Sequence, residues 1–337
     1  MEQPEGFEKM TKDGKPLVCK LNKAIYGLRQ AGRNWNEKLD KWLRENNMIQ
    51  STADPCLYVM RTKSKDFFAI VIYVDDIITV SNNSELHSEF VKRMSAEFKI
   101  VDIGNIERIL GIRVKSLNGN ITLDQDKYAN EIIESFNMKN ANTAITPAVK
   151  RGPIQSKELD NRLEYLRLVG SLMYLNVGTR PDIAYAVGLA GQKMVKPTEE
   201  DWIDAKRILR YVKLNTNLGP QYSVNGNIEL VGYTDADWAN NEENRRSITG
   251  YVFILAGGPI SWGSRKQQTV AISTTEAEYM SICAATQEAL YLRYVLRDLG
   301  HEQIEPTTIY TDNQGAIALA EDGATNKRTK HIDIKHH

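Results

Sequence analysis

Cysteine is scarce in this chain: Cys19, Cys56 and Cys283 are the only three among 337 residues. An odd count without metal-type spacing argues against a disulfide framework and a structural zinc site, and suits reduced intracellular thiols. No apolar run approaches the ~20 residues that a membrane-spanning helix needs, and no signal-peptide pattern precedes the chain, so neither insertion nor export is expected. Net charge is missing as well. The 43 Lys and Arg balance the 43 Asp and Glu, which removes any whole-molecule pull toward polyanions. What is present, 42% apolar and 26% charged residues, is the composition of a soluble globular protein, with length enough for about two or three cores.

The most informative stretch is Phe67-Phe68-Ala69-Ile70-Val71-Ile72-Tyr73-Val74, followed by Asp75-Asp76 and then Ile77-Ile78-Thr79-Val80. Its β-branched and aromatic residues predict two buried strands folded about an acidic pair. Adjacent carboxylates at the lip of an apolar hairpin repel and lose hydration, so they raise their pKa or take a cation. Mg²⁺ takes oxygen ligands and bridges to phosphate, which points to phosphoryl transfer. The plain alternative is a solvated Asp-Asp turn.

Elsewhere Trp35, Leu39, Trp42 and Leu43 predict a helix with a buried aromatic face, and Ser84 can cap a helix carrying Leu86, Phe90 and Met94. Ile109 to Val114 and Ile121 to Leu123 read as strands around an Asn118-Gly119 turn. Thr146 to Pro153 marks a boundary. Helices follow through Tyr165 to Leu175, from Pro181, and from Thr198 with Asp201 as capping partner. Asn215 to Asn227 reads as a linker. From Lys139 to Lys213 there are 13 Lys and Arg against 8 Asp and Glu, a basic surplus suited to phosphate contacts or to an ordinary solvated face.

Beyond Ile228 the pattern is strand, strand, strand, helix, strand, helix: Leu230 to Thr234, Ile248 to Leu255, Pro259 to Ser264, Thr275 to Leu299, Ile309 to Thr311, and a helix from Gln314. Tyr-Thr-Asp occurs twice, at Tyr233-Thr234-Asp235 and Tyr310-Thr311-Asp312. If the two strands are parallel neighbours, both carboxylates emerge at one sheet edge, and Glu278 can complete a three-carboxylate site for two metal ions. Each residue also has a structural reading. Thr275 and Glu278 fit a capping box, and Asp235 and Asp312 fit turn or cap positions. His331, Asp333, His336 and His337 are ligand types, but terminal crowding is the simpler account.

Tyr73-Val74-Asp75-Asp76 resembles the palm hairpin of reverse transcriptases, and its neighbours narrow the likeness to copia-type retrotransposon Pol polyproteins. Met1 to Phe7 resembles the segment before that family's fingers-to-palm helix, and Leu21 to Trp35 resembles its nucleotide-pocket motif. Arg180 to Val187 and Lys206 to Lys213 are similar to its thumb and connection. Asp235-Ala236-Asp237-Trp238, Arg245 to Tyr251, Ser273 to Tyr279, Tyr310 to Gly315 and Lys330 to Lys335 are similar to its ribonuclease H region. The likeness implies an α/β protein: a partial fingers/palm over 1–145, a helical thumb/connection over 146–226, and a ribonuclease H-like α/β domain over 227–337.

The same likeness implies RNA-directed DNA polymerase and ribonuclease H activities. Asp75, Asp76, Asp235, Glu278 and Asp312 would be catalytic and metal-binding residues, with Mg²⁺ or Mn²⁺. Glu278 is preferred to Glu276 on the Glu-Tyr-Met pattern. Tyr73, Gln30 and Arg33 would bind nucleotide or template, and the hairpin from Ile109 to Leu123, through Leu110 and Gly111, would close the palm and grip the primer. Implied partners are RNA/DNA hybrid, primer-template, dNTPs and the remainder of the Pol polyprotein, without membrane, in a cytoplasmic virus-like particle or the nucleus. Gly32 stands where the family usually has proline, which would loosen a turn. The family's polymerase site has a further Asp upstream of Met1, and its ribonuclease H site a fourth acid beyond the His-Ile-Asp segment. The chain is therefore expected to be truncated at both ends, nearly inactive as a polymerase and impaired as a nuclease. Two other readings stay open: a non-catalytic nucleic-acid-binding remnant, and a decayed product that does not fold stably.

Overall fold

Residues 1–62, 66–149, 156–239 and 245–322 are described by a computed structural model. They fall into two compact units, one ending at Asp102 and one beginning at Ile103. Among the described residues no helix is long and apolar enough to cross a membrane.

In the first unit α1 (Ala31–Glu45) turns Leu39 and Leu43 inward at i, i+4 spacing, with Trp35 and Trp42 half-buried beside them. Then β1 (Ile49–Gln50), β2 (Leu57–Arg61), β3 (Phe67–Tyr73) and β4 (Asp76–Ser81) form an antiparallel sheet in that order. α2 (Ser84–Glu97) contributes Phe90, which packs on Phe68 and meets Trp42 edge-on.

The two strands flanking the acidic pair form as predicted, but only β3 is buried. β4 is the outer strand, and its residues are half or fully exposed. The α2 cap is displaced by one residue. Asn83 is extended and its side chain accepts the N–H groups of Glu85 and Leu86, so Ser84 is the first helical residue. Gly32 lies within the first turn of α1, with nothing within 4 Å of where a Cβ would stand.

The second unit opens with β5 (Arg108–Ile109), β6 (Ile112–Leu117) and β7 (Asn120–Asp124), joined by two tight turns. Asn118-Gly119 is the predicted hairpin turn. Leu110-Gly111, also at positive φ, reverses the chain inside what the sequence reads as one strand. α3 (Asp126–Ser135), α4 (Arg162–Thr179), a 3₁₀ turn (Pro181–Ile183), α5 (Ala184–Gln192) and α6 (Glu199–Leu214) pack around Tyr165, Leu168, Leu172, Leu209 and Val212. Thr198 and Asp201 cap α6 reciprocally, as predicted. Arg180, buried at the end of α4, is satisfied by a two-pronged pairing with Asp182 and by the Asn215 carbonyl. The expected linker is partly strand. β8 (Gln221–Tyr222) pairs with β7, a contact too short to leave a periodic signature.

The remaining elements follow the predicted order: β9 (Val231–Asp237), β10 (Ile248–Leu255), β11 (Gly258–Lys266), α7 (Thr274–Leu299), β12 (Thr308–Tyr310) and α8 (Gln314–Asp322). Their sheet runs β11-β10-β9-β12, with β12 parallel to β9 and the other pairs antiparallel. α7 closes one face over Leu230, Phe253, Ala285, Ala289 and Leu292. The expected segment limits at 145/146 and 226/227 both lie within this second unit.

The observed α2 cap has a direct test. Asn83→Ala should lower stability by about 1 kcal/mol in chemical denaturation, while Ser84→Ala should change it by no more than a few tenths. Equal losses would return the cap to Ser84.

Candidate metal centre and acidic hairpin

Because β9 and β12 are parallel neighbours, their carboxyl ends lie side by side. Asp235 stands within β9, Asp312 two residues past β12, and Glu278 in the second turn of α7. One carboxylate oxygen from each lies within 4.8 Å of the others. β9 does not end at Asp235, as the sequence suggested. It continues through Asp237, because β10 pairs with it as far as Ile248.

Neighbouring residues take the structural duties that the sequence offered to the acids. α7 is capped by Ser273, whose hydroxyl accepts the Glu276 N–H at 3.1 Å, while Glu276 accepts the Ile272 N–H at 2.7 Å. The expected Thr275–Glu278 box does not form, and Glu278 is released to face Asp235. At α8, Asn313 accepts the Ala316 N–H at 2.9 Å, which relieves Asp312 of capping. The two helix starts are close-packed: a Cβ on Gly315 would stand 3.1 Å from the Thr275 hydroxyl.

Burial pushes the Glu278 carboxyl up to about 7, helped by the charges of Asp235 and Asp312 and opposed by a hydrogen bond from the Ala236 N–H. Glu278 is 6% exposed, and its Oε2 is buried without a hydrogen-bond partner. One helical turn on, Ser281 donates to the Asp235 carbonyl at 2.7 Å and lies 2.8 Å from the Thr234 hydroxyl, fastening α7 to β9. Buried Gln267 donates to the Ala277 carbonyl and to Thr249, tying the first turn of α7 to β10. At the far end Arg293 donates to the Gln303 and Glu305 carbonyls and to Thr307, holding the loop that leads into β12. The sequence reading missed Ser281 and Gln267. A serine on the apolar face of a long helix was the available signal.

The donor set is all oxygen, and Glu278 keeps one buried oxygen without a partner in a side chain that converges with two further carboxylates, so the residues present fit a hard divalent cation. His331, Asp333, His336 and His337, weighed in the sequence as ligand types and set aside, lie outside the described residues.

The first unit holds the other acidic pair. Tyr73 pairs with Asp76 across a two-residue turn in which Val74 has φ +58°, a strained value for a β-branched residue. The Trp35 indole N–H donates to the Val74 carbonyl at 2.9 Å, so α1 braces the turn. Asp75 and Asp76 are exposed, contrary to the expected loss of hydration, because the turn projects from the end of the sheet. Gln30 is the N-cap residue of α1, without a side-chain capping bond, and Arg33 ion-pairs with Glu37 one turn on. The structure thus places Gln30, Arg33 and the Trp35 brace on one short stretch of chain.

Comparison with known proteins gives a consistent picture. Residues 1–150 match the family model described as reverse transcriptase (RNA-dependent DNA polymerase). The whole chain is 40% identical to part of the retrovirus-related Pol polyprotein from transposon TNT 1-94 of Nicotiana tabacum, and 37% identical to part of that from transposon RE1 of Arabidopsis thaliana. It spans 26% and 23% of their lengths, about a quarter. It is also 27% identical, over 86% of its length, to a putative transposon Ty5-1 protein of Saccharomyces cerevisiae, of which it covers 94%.

The carboxylate cluster has a consequence for stability. In metal-free protein the folded state keeps the Glu278 proton to about pH 7, whereas the unfolded chain releases it near the ordinary 4.5. This contribution is therefore present below pH 4.5 and lost as pH rises through 7. With chelator present, stability should fall by at most about 3 kcal/mol between pH 4.5 and 8, and Glu278→Gln should flatten that slope. Parallel pH profiles for the two proteins would contradict the assignment.

Proposed function

Because the chain belongs to the copia-type retrotransposon Pol family of RNA-directed DNA polymerases, we propose that it forms a palm portion and a nuclease portion of such an enzyme. In this reading residues 1–145 supply fingers and palm, 146–226 the thumb and connection, and 227–337 a ribonuclease H-like domain. The observation that carries the nuclease role is the convergence of Asp235, Glu278 and Asp312 within 4.8 Å, with the Glu278 oxygen buried and unpaired. These three residues would hold Mg²⁺ or Mn²⁺, which when bound lowers the pKa of a water and offsets charge on a phosphodiester.

The chain's own residues prepare that chemistry. Glu278, which keeps its proton below about pH 7 when no cation is held, gives it up as the site loads, so loading below about pH 7 releases a proton. Ser281 holds Asp235 by its backbone, leaving the carboxylate free to ligate. The substrate proposed is an RNA/DNA hybrid, recognised through its A-form shape and backbone, with the RNA strand cut.

Asp75 and Asp76 support the polymerase role. An exposed pair on a braced turn is open to a primer-template and an incoming dNTP, with Tyr73, Gln30 and Arg33 as nucleotide- or template-binding residues. The rest of the Pol polyprotein is the expected partner for both activities.

The test is hydrolysis of a labelled hybrid with Mg²⁺ or Mn²⁺. Cleavage should be confined to the RNA strand and stop with chelator. Asp235→Asn, Glu278→Gln and Asp312→Asn should each lower the rate by roughly 100-fold or more, the scale on which loss of one preorganised charge-stabilising group acts. Binding of hybrid without cleavage, unchanged by Glu278→Gln, would assign the chain to nucleic-acid binding alone.

A further inference from the structure

A tyrosine of the helical segment reaches the acid-bearing strand. Tyr185, on α5, donates its hydroxyl to Asp237 Oδ2 at 2.9 Å. Asp237 is the last residue of β9, two beyond Asp235, so the two side chains leave the same face of the strand about 6.7 Å apart along it. Asp235, Asp237 and Tyr185 line one cleft of about 810 Å³, formed by the 3₁₀ turn and α5 against the sheet face opposite α7. α5 and its neighbours are firmly seated there. The Trp262 indole N–H donates to the Asn176 carbonyl at 3.0 Å, and a Cβ on Gly188 would stand 3.4 Å from the Ser264 carbonyl.

We infer that Asp237 and Tyr185 are positioning residues for the cation site proposed above, and the inference rests on that reading. Asp237 is outside the group of three whose oxygens converge, so it acts by charge and by orienting what surrounds the site. Its carboxylate deepens the negative potential along the β9 edge, where a divalent cation is drawn. The Tyr185 hydroxyl engages one oxygen and fixes the direction of that carboxylate, the role that outer hydrogen-bond partners play around metal ligands. Cation affinity at Asp235, Glu278 and Asp312 thereby depends on a residue of the helical segment 50 positions before Asp235 in sequence.

The experiment is Mn²⁺ titration of the full chain, followed by electron paramagnetic resonance of free Mn²⁺, with thermal unfolding recorded alongside. Tyr185→Phe and Asp237→Asn should each weaken Mn²⁺ binding about tenfold with little change in Tm, and the double variant should bind no more weakly than Asp237→Asn alone. Wild-type affinity in Tyr185→Phe, or losses that add in the double variant, would overturn the inference. If Tyr185→Phe unfolds, the nearly isosteric Asp237→Asn carries the test: unchanged Mn²⁺ affinity there overturns the inference as well. Asp235→Asn is the control. Loss of Mn²⁺ binding in it alone would retain the cation reading and reject this inference, whereas binding that survives it would overturn both.

Discussion

Three carboxyl groups with oxygens inside 4.8 Å of one another repel, and that repulsion sets what the surrounding chain has to do. Left to itself, such a trio would swing apart into solvent. Here each member is held from behind by backbone: Asp235 by the strands on either side of β9 and by Ser281, Glu278 by the rigid body of α7, and Asp312 by a helix start that its neighbour caps. The repulsion that remains is relieved by the proton that Glu278 keeps to near neutral pH. Such a centre is stable when protonated or when neutralised, and least stable when fully charged and empty.

Functional side chains here stay available because an adjacent residue does the structural work. Glu276 serves the start of α7 while Glu278 faces the cluster, and Asn313 serves the start of α8 while Asp312 remains free. The same division occurs in the first unit, where the Val74 carbonyl accepts the Trp35 indole N–H and the carboxylates of Asp75 and Asp76 project into solvent. Paired acids in a motif therefore need not share a task. Glu276 and Glu278 are equally buried, and it is their hydrogen-bond partners that separate the one that caps from the one that faces the cluster.

The C-terminal sheet was legible in sequence because its strands are β-branched runs bounded by turn residues, and the doubled Tyr-Thr-Asp marked the two acid-bearing edges. Caps were legible only to within one or two residues. Ser273, Thr274 and Thr275 are equally good capping types, as are Asn83 and Ser84, and tertiary packing selects among them. The two-residue strand β8 was hidden because its partner β7 lies far earlier in the chain, and the Leu110-Gly111 reversal because leucine is not a residue type that marks a positive-φ turn. Ser281 and Gln267 have roles that are contacts between elements: the serine stood out only as a polar residue on an apolar helix face, and no local pattern announces the glutamine.

Arg293 joins these observations. From its place on α7 it grips the loop that returns to β12, so the helix carrying Glu278 and the strand leading to Asp312 are anchored by one guanidinium, which lies about 22 Å along the helix from Glu278. In mechanical terms, α7, that loop and β12 form a closed linkage with the acidic cluster at one end and Arg293 at the other. A linkage of this kind has no slack to share out. Opening it at any joint frees both carboxylates together, and the centre responds to local unfolding as a single cooperative element.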